Sequence, residues 1–333
     1  MVRRKSRLAI LILASILVFS GCSAGHLKIP KVVSDYLDFL GVKQSGVLKV
    51  DKKGVKEFSP LPPDLGNYNS KLTQAVLDVV ECDFSFEDRQ FAKIRKGDFV
   101  SLELKIVKKG ERIYQDEVGV VVGLGLFDPL IEAWLVGKSA ENRIDWEIDS
   151  SSNPALAQYV GQTVQIDVSS VSSVEEMEDT KEHLSQGGYS NFEEYYRTIY
   201  EMKCEELAFE HQASERDRFF RFLIEQCEYD ISSEDIVAMS LQIVSEYEKQ
   251  AQQFGMSLSE FYEEFLEIKE EDAFFYRCAE EGNYEIQKIL AVGAVAKIYQ
   301  IEIGNGEGID LGGESIIANY EELEHRVLEF FFS

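Results

Sequence analysis

The sequence predicts an α+β chain: a small antiparallel sheet with one short helix, followed by an elongated, acidic, all-α region. Two hydrophobic periods carry this reading. From about residue 95 to 172, apolar side chains recur at every second position, the spacing of a half-buried strand. From about 174 to 303 they recur three and four residues apart, the spacing of one helix face. A third observation sets the compartment. Arg3, Arg4, Lys5 and Arg7 precede an apolar run over 8–19, and Phe19-Ser20-Gly21-Cys22 then supplies the small residues of a signal-peptidase site.

Residues 1–21 thus read as a signal peptide. The apolar run is about a dozen residues, short of the roughly 20 that span a bilayer. The segment resembles the signal of a bacterial lipoprotein. That resemblance implies lipidation of Cys22 and a mature chain held on the extracytoplasmic side of the cell membrane, away from most ATP- or NAD-dependent chemistry. Residues 22–70 read as tether and lead-in, with a short helical stretch at 32–40 and a Pro-rich turn at 59–63. Residues 71–90 have helical spacing through Leu72, Val76, Leu77 and Val80. With the sheet they form a domain over 71–173. Strands are expected at 99–106, 118–122, 143–148 and 163–168, with a short helix at 128–137.

The second domain is expected over 174–303. Ser190-x-x-Glu193 and Ser257-x-x-Glu260 read as capping boxes, in which the Ser oxygen and Glu carboxylate satisfy amides that lack intrahelical partners. The first opens a long helix running toward Cys227. Ser232 or Ser233 opens another, closed by Gly255. A third begins after Ser257, and a fourth near Asn283. Residues 304–333 read as a tail, with a short amphipathic helix at 321–332.

Charge and composition exclude several classes. The net charge is −26, and loss of residues 1–21, with four basic and no acidic side chains, leaves −30. Such a chain disfavours nucleic acid and anionic lipid as partners, since phosphate recognition needs clustered Lys and Arg. Beyond Cys22, the cysteines Cys82, Cys204, Cys227 and Cys278 form no C-x-x-C pair and read as buried free thiols. The four histidines lack H-x-x-x-H spacing, so no metal or cofactor is expected. Gly123-Leu124-Gly125 fails the dinucleotide pattern because Asp128 stands where its last glycine belongs. Glu263-Glu264 and Glu270-Glu271 read as solvated helix faces. The aromatic residues of the helical region read mostly as core, some lining an open apolar cradle.

The order of motifs resembles trigger factor, a folding chaperone whose middle domain is an FKBP-type peptidyl-prolyl isomerase. Glu87-Asp88-Arg89-x-x-Ala92-Lys93-x-x-Lys96-Gly97-Asp98-Phe99-Val100 is similar to the start of that domain. Gly123-x-Gly125-x-Phe127-x-Pro129-x-Ile131-Glu132-x-x-Leu135-x-Gly137 is similar to its central run, and Gly161-Gln162-x-Val164-x-Ile166-x-Val168 to its closing strand. Gly255-Met256-Ser257-Leu258-Ser259-Glu260-Phe261 and Val292-Gly293-Ala294-Val295-Ala296-Lys297 resemble segments of the chaperone domain. The likeness covers about 70–303. The ribosome-docking loop of the family has no counterpart, so no ribosome partner is expected.

The resemblance implies a folding factor that binds unfolded, newly translocated polypeptides. It also implies an isomerase pocket at Ile113, Tyr114, Phe127, Asp128, Ile131 and Ile166, in which dry walls favour the twisted amide over a barrier of about 20 kcal/mol. Asp128 brings a carboxylate, and Leu130 replaces a turn glycine. The usual pocket tyrosine is missing near Asn153-Pro154, with Tyr159 close by. Weak or lost isomerase activity is therefore expected. The alternative is a non-enzymatic binding or adhesin lipoprotein that keeps the fold with a dead pocket.

Overall fold

The computed structural model describes residues 25–61, 65–89, 93–109, 111–140, 142–149, 151, 153–176, 184–303 and 313–332. In chain order these form α1 (Lys31–Phe39), β1 (Gly46–Val50), α2 (Lys52–Val55), α3 (Tyr68–Val80), β2 (Phe84–Asp88), β3 (Asp98–Lys108) and β4 (Glu111–Val121). There follow α4 (Pro129–Leu135), β5 (Arg143–Glu147), α5 (Pro154–Ala157), β6 (Thr163–Glu176), α6 (Phe192–Glu225) and β7 (Cys227–Asp230). The chain then continues through α7 (Ser233–Gln253), α8 (Leu258–Phe265), α9 (Glu271–Tyr299) and α10 (Gly313–Phe332). The expected signal segment and Cys22 lie outside the described residues. Among the described residues no helix is long and apolar enough to cross a membrane.

Two compact units result, one from the start of the chain to Leu61 together with 214–333, the other Pro62–Ala213. In the second unit, five antiparallel strands run β2-β6-β3-β4, with β5 on the same side of β6 as β2. Register follows the alternation: Leu104 faces Asp116 on β4 and Ile166 on β6, while Trp146 faces Val164. One face buries Val100, Leu102, Leu104, Ile106, Val164 and Ile166 against α4 and α5. The other buries Phe84, Phe99 and Val121 under Leu72, Val76 and Val80 of α3 and Phe192, Tyr195, Tyr196 and Ile199 of α6. The structure extends the expected strands. β4 begins at Glu111 and β6 runs to Glu176, because backbone pairing to β3 and β2 holds polar stretches that carry little apolar signal. Strand β2, in a stretch with helical spacing, is set the same way.

The first unit is built around α9. Every residue of 289–296 is buried, so this helix has no solvent face and must be covered on all sides. Helices α7 and α10 cover part of it. Residues of α6 and α8 share this core, and residues 25–61 cover a further part, which corrects the tether expected over 22–70. Val33, Leu37, Val42, Val47 and Val55 enter the same core as Leu290 and Val295. An added Cβ at Gly293 would lie 2.9 Å from Val33 Cγ1, so glycine lets α1 approach α9. β1 pairs with β7, and the region is therefore not all-α. The three amides of Lys43, Gln44 and Ser45 converge on the buried Asp235 carboxylate (2.8, 2.8 and 2.6 Å), pinning the α1–β1 loop to the start of α7. The segment looked unpatterned because each element is too short to show a period.

Other boundaries shift for local reasons. The expected break near Asn283 is absent: α9 runs through Gly282, whose bare Cα faces Ser240 on α7, and the chain breaks at 266–270 instead. The Ser257–Glu260 capping box forms as expected. The Ser190–Glu193 box does not. Asn191 Oδ1 accepts from the Glu194 amide (2.9 Å), and Glu194 reaches back to the Ser190 amide (2.8 Å). The region placed at 174–303 is divided within α6, since 192–213 belong with the sheet. The expected tail holds the 20-residue α10, with Tyr320, Leu323 and Val327 buried in the core.

If residues 25–61 are structural, Val33→Ala will destabilise the first unit by roughly 2 kcal/mol. Both tryptophans, Trp134 and Trp146, lie in the sheet unit. The loss should therefore appear in the helical circular-dichroism transition and not in the fluorescence transition.

Candidate functional site

The β4–α4 turn organises the expected pocket. Gly123 and Gly125 take left-handed φ values of 97° and 70°, which a side chain would resist. This conformation turns the amides of Gly123, Gly125 and Phe127 onto the buried carboxylate of Glu132, at 3.0, 2.6 and 3.1 Å. Glu132 is 1% exposed. A buried carboxylate is tolerated only with such hydrogen bonds. Pro129 then starts α4, its missing N–H costing nothing in the first turn.

Asp128 is the N-cap of α4. Its Oδ1 accepts from the Leu130 and Ile131 amides (3.0 and 3.3 Å), and its Oδ2 from the Ser151 hydroxyl (2.9 Å). The carboxylate is buried and fully occupied, rather than a charge presented to a proline site, as the sequence suggested. The helix N-terminus favours it there.

Tyr114, Phe127, Ile131 and Ile166 do come together, but as a closed core beneath the turn, each at most 4% exposed. Ile113 is separated from them by strand alternation and is exposed. Leu130 is 59% exposed. Tyr159 meets Tyr114 at 5.2 Å between ring centroids, and its hydroxyl approaches the Ile113 carbonyl at 3.5 Å. It thus occupies the neighbourhood where a pocket tyrosine was sought. Tyr114 Oη accepts from Asn69 Nδ2 (2.9 Å) and donates to Asp116 Oδ2 (3.2 Å); burial, and next the Asp116 charge, push its pKa up.

Sequence reasoning missed the polar partners of that hydroxyl. Asp116 also accepts the Asn69 and Ser70 amides (2.8 and 3.3 Å), capping α3 from the sheet. Asn153 Nδ2 donates to Asn69 Oδ1 (2.7 Å), and Asn153 Oδ1 caps α5. The network is closed and satisfied, and it fixes α3 and α5 on β4. No signal in the sequence pointed to it, since residues 114–116 lie ahead of the strand expected at 118–122 and Asn69 and Asn153 are distant in the chain.

The first unit offers more open surfaces. Most of its aromatic residues are core, including Phe219, Phe220 and Phe274. Phe254 and Phe265 are 62% and 52% exposed, with centroids 5.2 Å apart, and Phe265 stacks on Phe261 at 5.0 Å. Tyr247 continues the contact, 6.2 Å from Phe261. It lines a groove of about 510 Å³ between α7 and α9, with Ile243, Glu246, Gln250, Glu280, Glu281, Tyr284 and Glu285. The Tyr247 hydroxyl and Arg277 both donate to Glu281 (3.1 and 2.8 Å), and burial raises the Glu285 carboxyl pKa.

Among the described residues no cluster of His, Cys, Asp and Glu could hold a metal. Cys278 is buried and Cys204 and Cys227 half-buried, whereas Cys82 is exposed, contrary to the expectation of buried thiols throughout. Burial pushes the Cys227 thiol up to about 11 and Cys278 up to about 12.

No protein-family model matches the chain, and no curated protein matches it. A solved structure of the trigger factor chaperone, described for promiscuous substrate recognition in folding and assembly activities, aligns over 99% of this chain and 93% of that one. The identity is 16% and the TM-score 0.30.

Two outcomes follow from this geometry. Glu132→Gln replaces one acceptor oxygen with a donor facing backbone amides, and should lower sheet-unit stability by roughly 3 kcal/mol, read by tryptophan fluorescence during urea unfolding. At pH 8 alkylation of folded 23–333 should modify Cys82 alone at a rapid rate, since the raised pKa values of Cys227 and Cys278 keep them as thiols. Mass spectrometry after unfolding should show all four.

Proposed function

We propose that this chain is a membrane-anchored, extracytoplasmic folding factor that holds unfolded polypeptides, with an isomerase-like domain that is slow or silent. The carrying observation is the exposed pair Phe254 and Phe265, which pack on the buried ring of Phe261 at the edge of the first unit. Aromatic surface left open to solvent offers weak, sequence-tolerant contact to an extended apolar segment. Dense negative charge around it, from Glu260, Glu263, Glu264 and Glu267, keeps the surface soluble between clients.

The isomerase reading is weaker. Catalysis of proline rotation needs an open, dry cup, and the residues aligned with such a cup form a closed floor at Phe127, Ile131 and Ile166. Access is left to Ile113, Tyr159 and Leu130. The motif order supports retention of the domain as a platform. The lipoprotein-type sequence ending at Cys22 supports lipid anchoring and work outside the cytoplasm.

Purified 23–333 should suppress aggregation of an unfolded model protein near a one-to-one ratio, and Phe254→Ser with Phe265→Ser should weaken this by roughly tenfold, without loss of helicity. Proline-limited refolding should be little accelerated. Strong acceleration at catalytic amounts, removed by Tyr159→Ala with Ile113→Ser, would overturn the closed-floor reading. Absence of both effects would leave a binding or adhesin lipoprotein.

A further inference from the structure

The segment that follows Cys22 carries charge opposite to the rest of the chain. Residues 25–61 hold seven lysines against four carboxylates, while 62–333 hold 23 basic against 56 acidic side chains. All seven lysines (Lys28, Lys31, Lys43, Lys49, Lys52, Lys53 and Lys56) are exposed. Lys49 pairs with Glu228 at 2.8 Å. Among the described residues the other six have no carboxylate at ion-pair distance. The four acids of the segment are Asp35, Asp38, Asp51 and Glu57, and Asp51 is engaged in capping α2 through the Lys53 amide.

The same segment is fixed very close to the expected anchor. The Leu27 amide donates to the Val47 carbonyl (2.8 Å), and His26 Nε2 lies 3.1 Å from Asp230 Oδ2, so the chain is held against β1 and β7 from residue 26 onward. Leu27 lies five positions after Cys22, and an extended chain covers at most about 3.6 Å per residue, so Leu27 lies within roughly 18 Å of the Cys22 backbone. By the same limit Lys43, Lys49, Lys52 and Lys53 lie within roughly 22 Å of Val47. Leu27 is itself 41% exposed.

We infer that residues 25–61 form a cationic foot that docks on the anionic headgroups of the membrane holding Cys22. This rests on the anchor reading and adds an orientation to it. A lipid at Cys22 leaves too little chain for the first unit to stand clear of the bilayer, so some face of it must meet the headgroups. Near an anionic surface the lysine-bearing segment is attracted and the strongly acidic remainder repelled. Total charge hides this, which is why the composition alone disfavours anionic lipid.

The test uses the intact mature lipoprotein, reconstituted into vesicles of neutral phosphatidylcholine or of phosphatidylcholine with 30% phosphatidylglycerol (about 30 mol%). Surface amines are pulsed with an acylating reagent, and each lysine is quantified by mass spectrometry, with the exposed Lys249 and Lys269 as internal references. Lys28, Lys43, Lys52, Lys53 and Lys56 should be modified about threefold more slowly on anionic than on neutral vesicles, the difference vanishing near 0.5 M salt (roughly a 4 Å screening length). Equal rates on both vesicles, or equal slowing of Lys249 and Lys269, would overturn the docking. Flotation of wild type beside Cys22→Ser separates the two readings. Flotation on neutral vesicles that depends on Cys22, with equal lysine rates on both vesicles, removes the foot and keeps the anchor, whereas flotation on neutral vesicles independent of Cys22 removes both.

Discussion

The first unit depends on the burial of α9 on every side. A helix that exposes one face can be covered by one or two neighbours, but 289–296 has no polar stripe to turn to water. Each Val, Leu or Ile left uncovered there would forfeit roughly 1.5–3 kcal/mol. That demand pulls residues 25–61 onto helices more than 200 positions later, and makes Gly293 the place where Val33 can enter. The sheet unit is consequently an insertion in sequence, leaving after Leu61 and ending at Ala213.

The sheet unit answers a different demand. Its sheet is buried on both faces, so even the polar ends of α3, α4 and α5 sit where amides need partners other than water. Side chains supply them: Glu132 for the turn, Asp128 for α4, Asp116 for α3 and Asn153 for α5. Three of these four are carboxylates, and each accepts backbone amides, with the Ser151 and Tyr114 hydroxyls added at Asp128 and Asp116. The chemistry of this unit is therefore organised toward rigidity. That is why the pocket positions read as floor.

Charge follows the same uneven layout. Acidic side chains lie beside the exposed Phe254 and Phe265 in sequence, while the lysines sit in the stretch nearest the expected anchor. A net charge of −26 describes neither region.

The sequence by itself determined the local features: the two hydrophobic periods, the Ser257–Glu260 box, the Gly255 stop, the β3–β4 hairpin and the Gly-x-Gly turn before α4. These are set by neighbours within a few residues, through backbone dihedrals and capping bonds. The candidate site was legible as a set of positions, since Tyr114, Phe127, Ile131 and Ile166 share one core, but not in its state of closure. Asp128 could not be read as a cap without Ser151 beside it, nor Glu132 as a clamp without the turn folded over it. Tertiary structure alone decided that 25–61 is core rather than tether, that α9 continues through Gly282, and that α6 is shared between the units. The reason is common to all three: the energy comes from contacts across long sequence separations, where burial against a distant partner outweighs weak local preference.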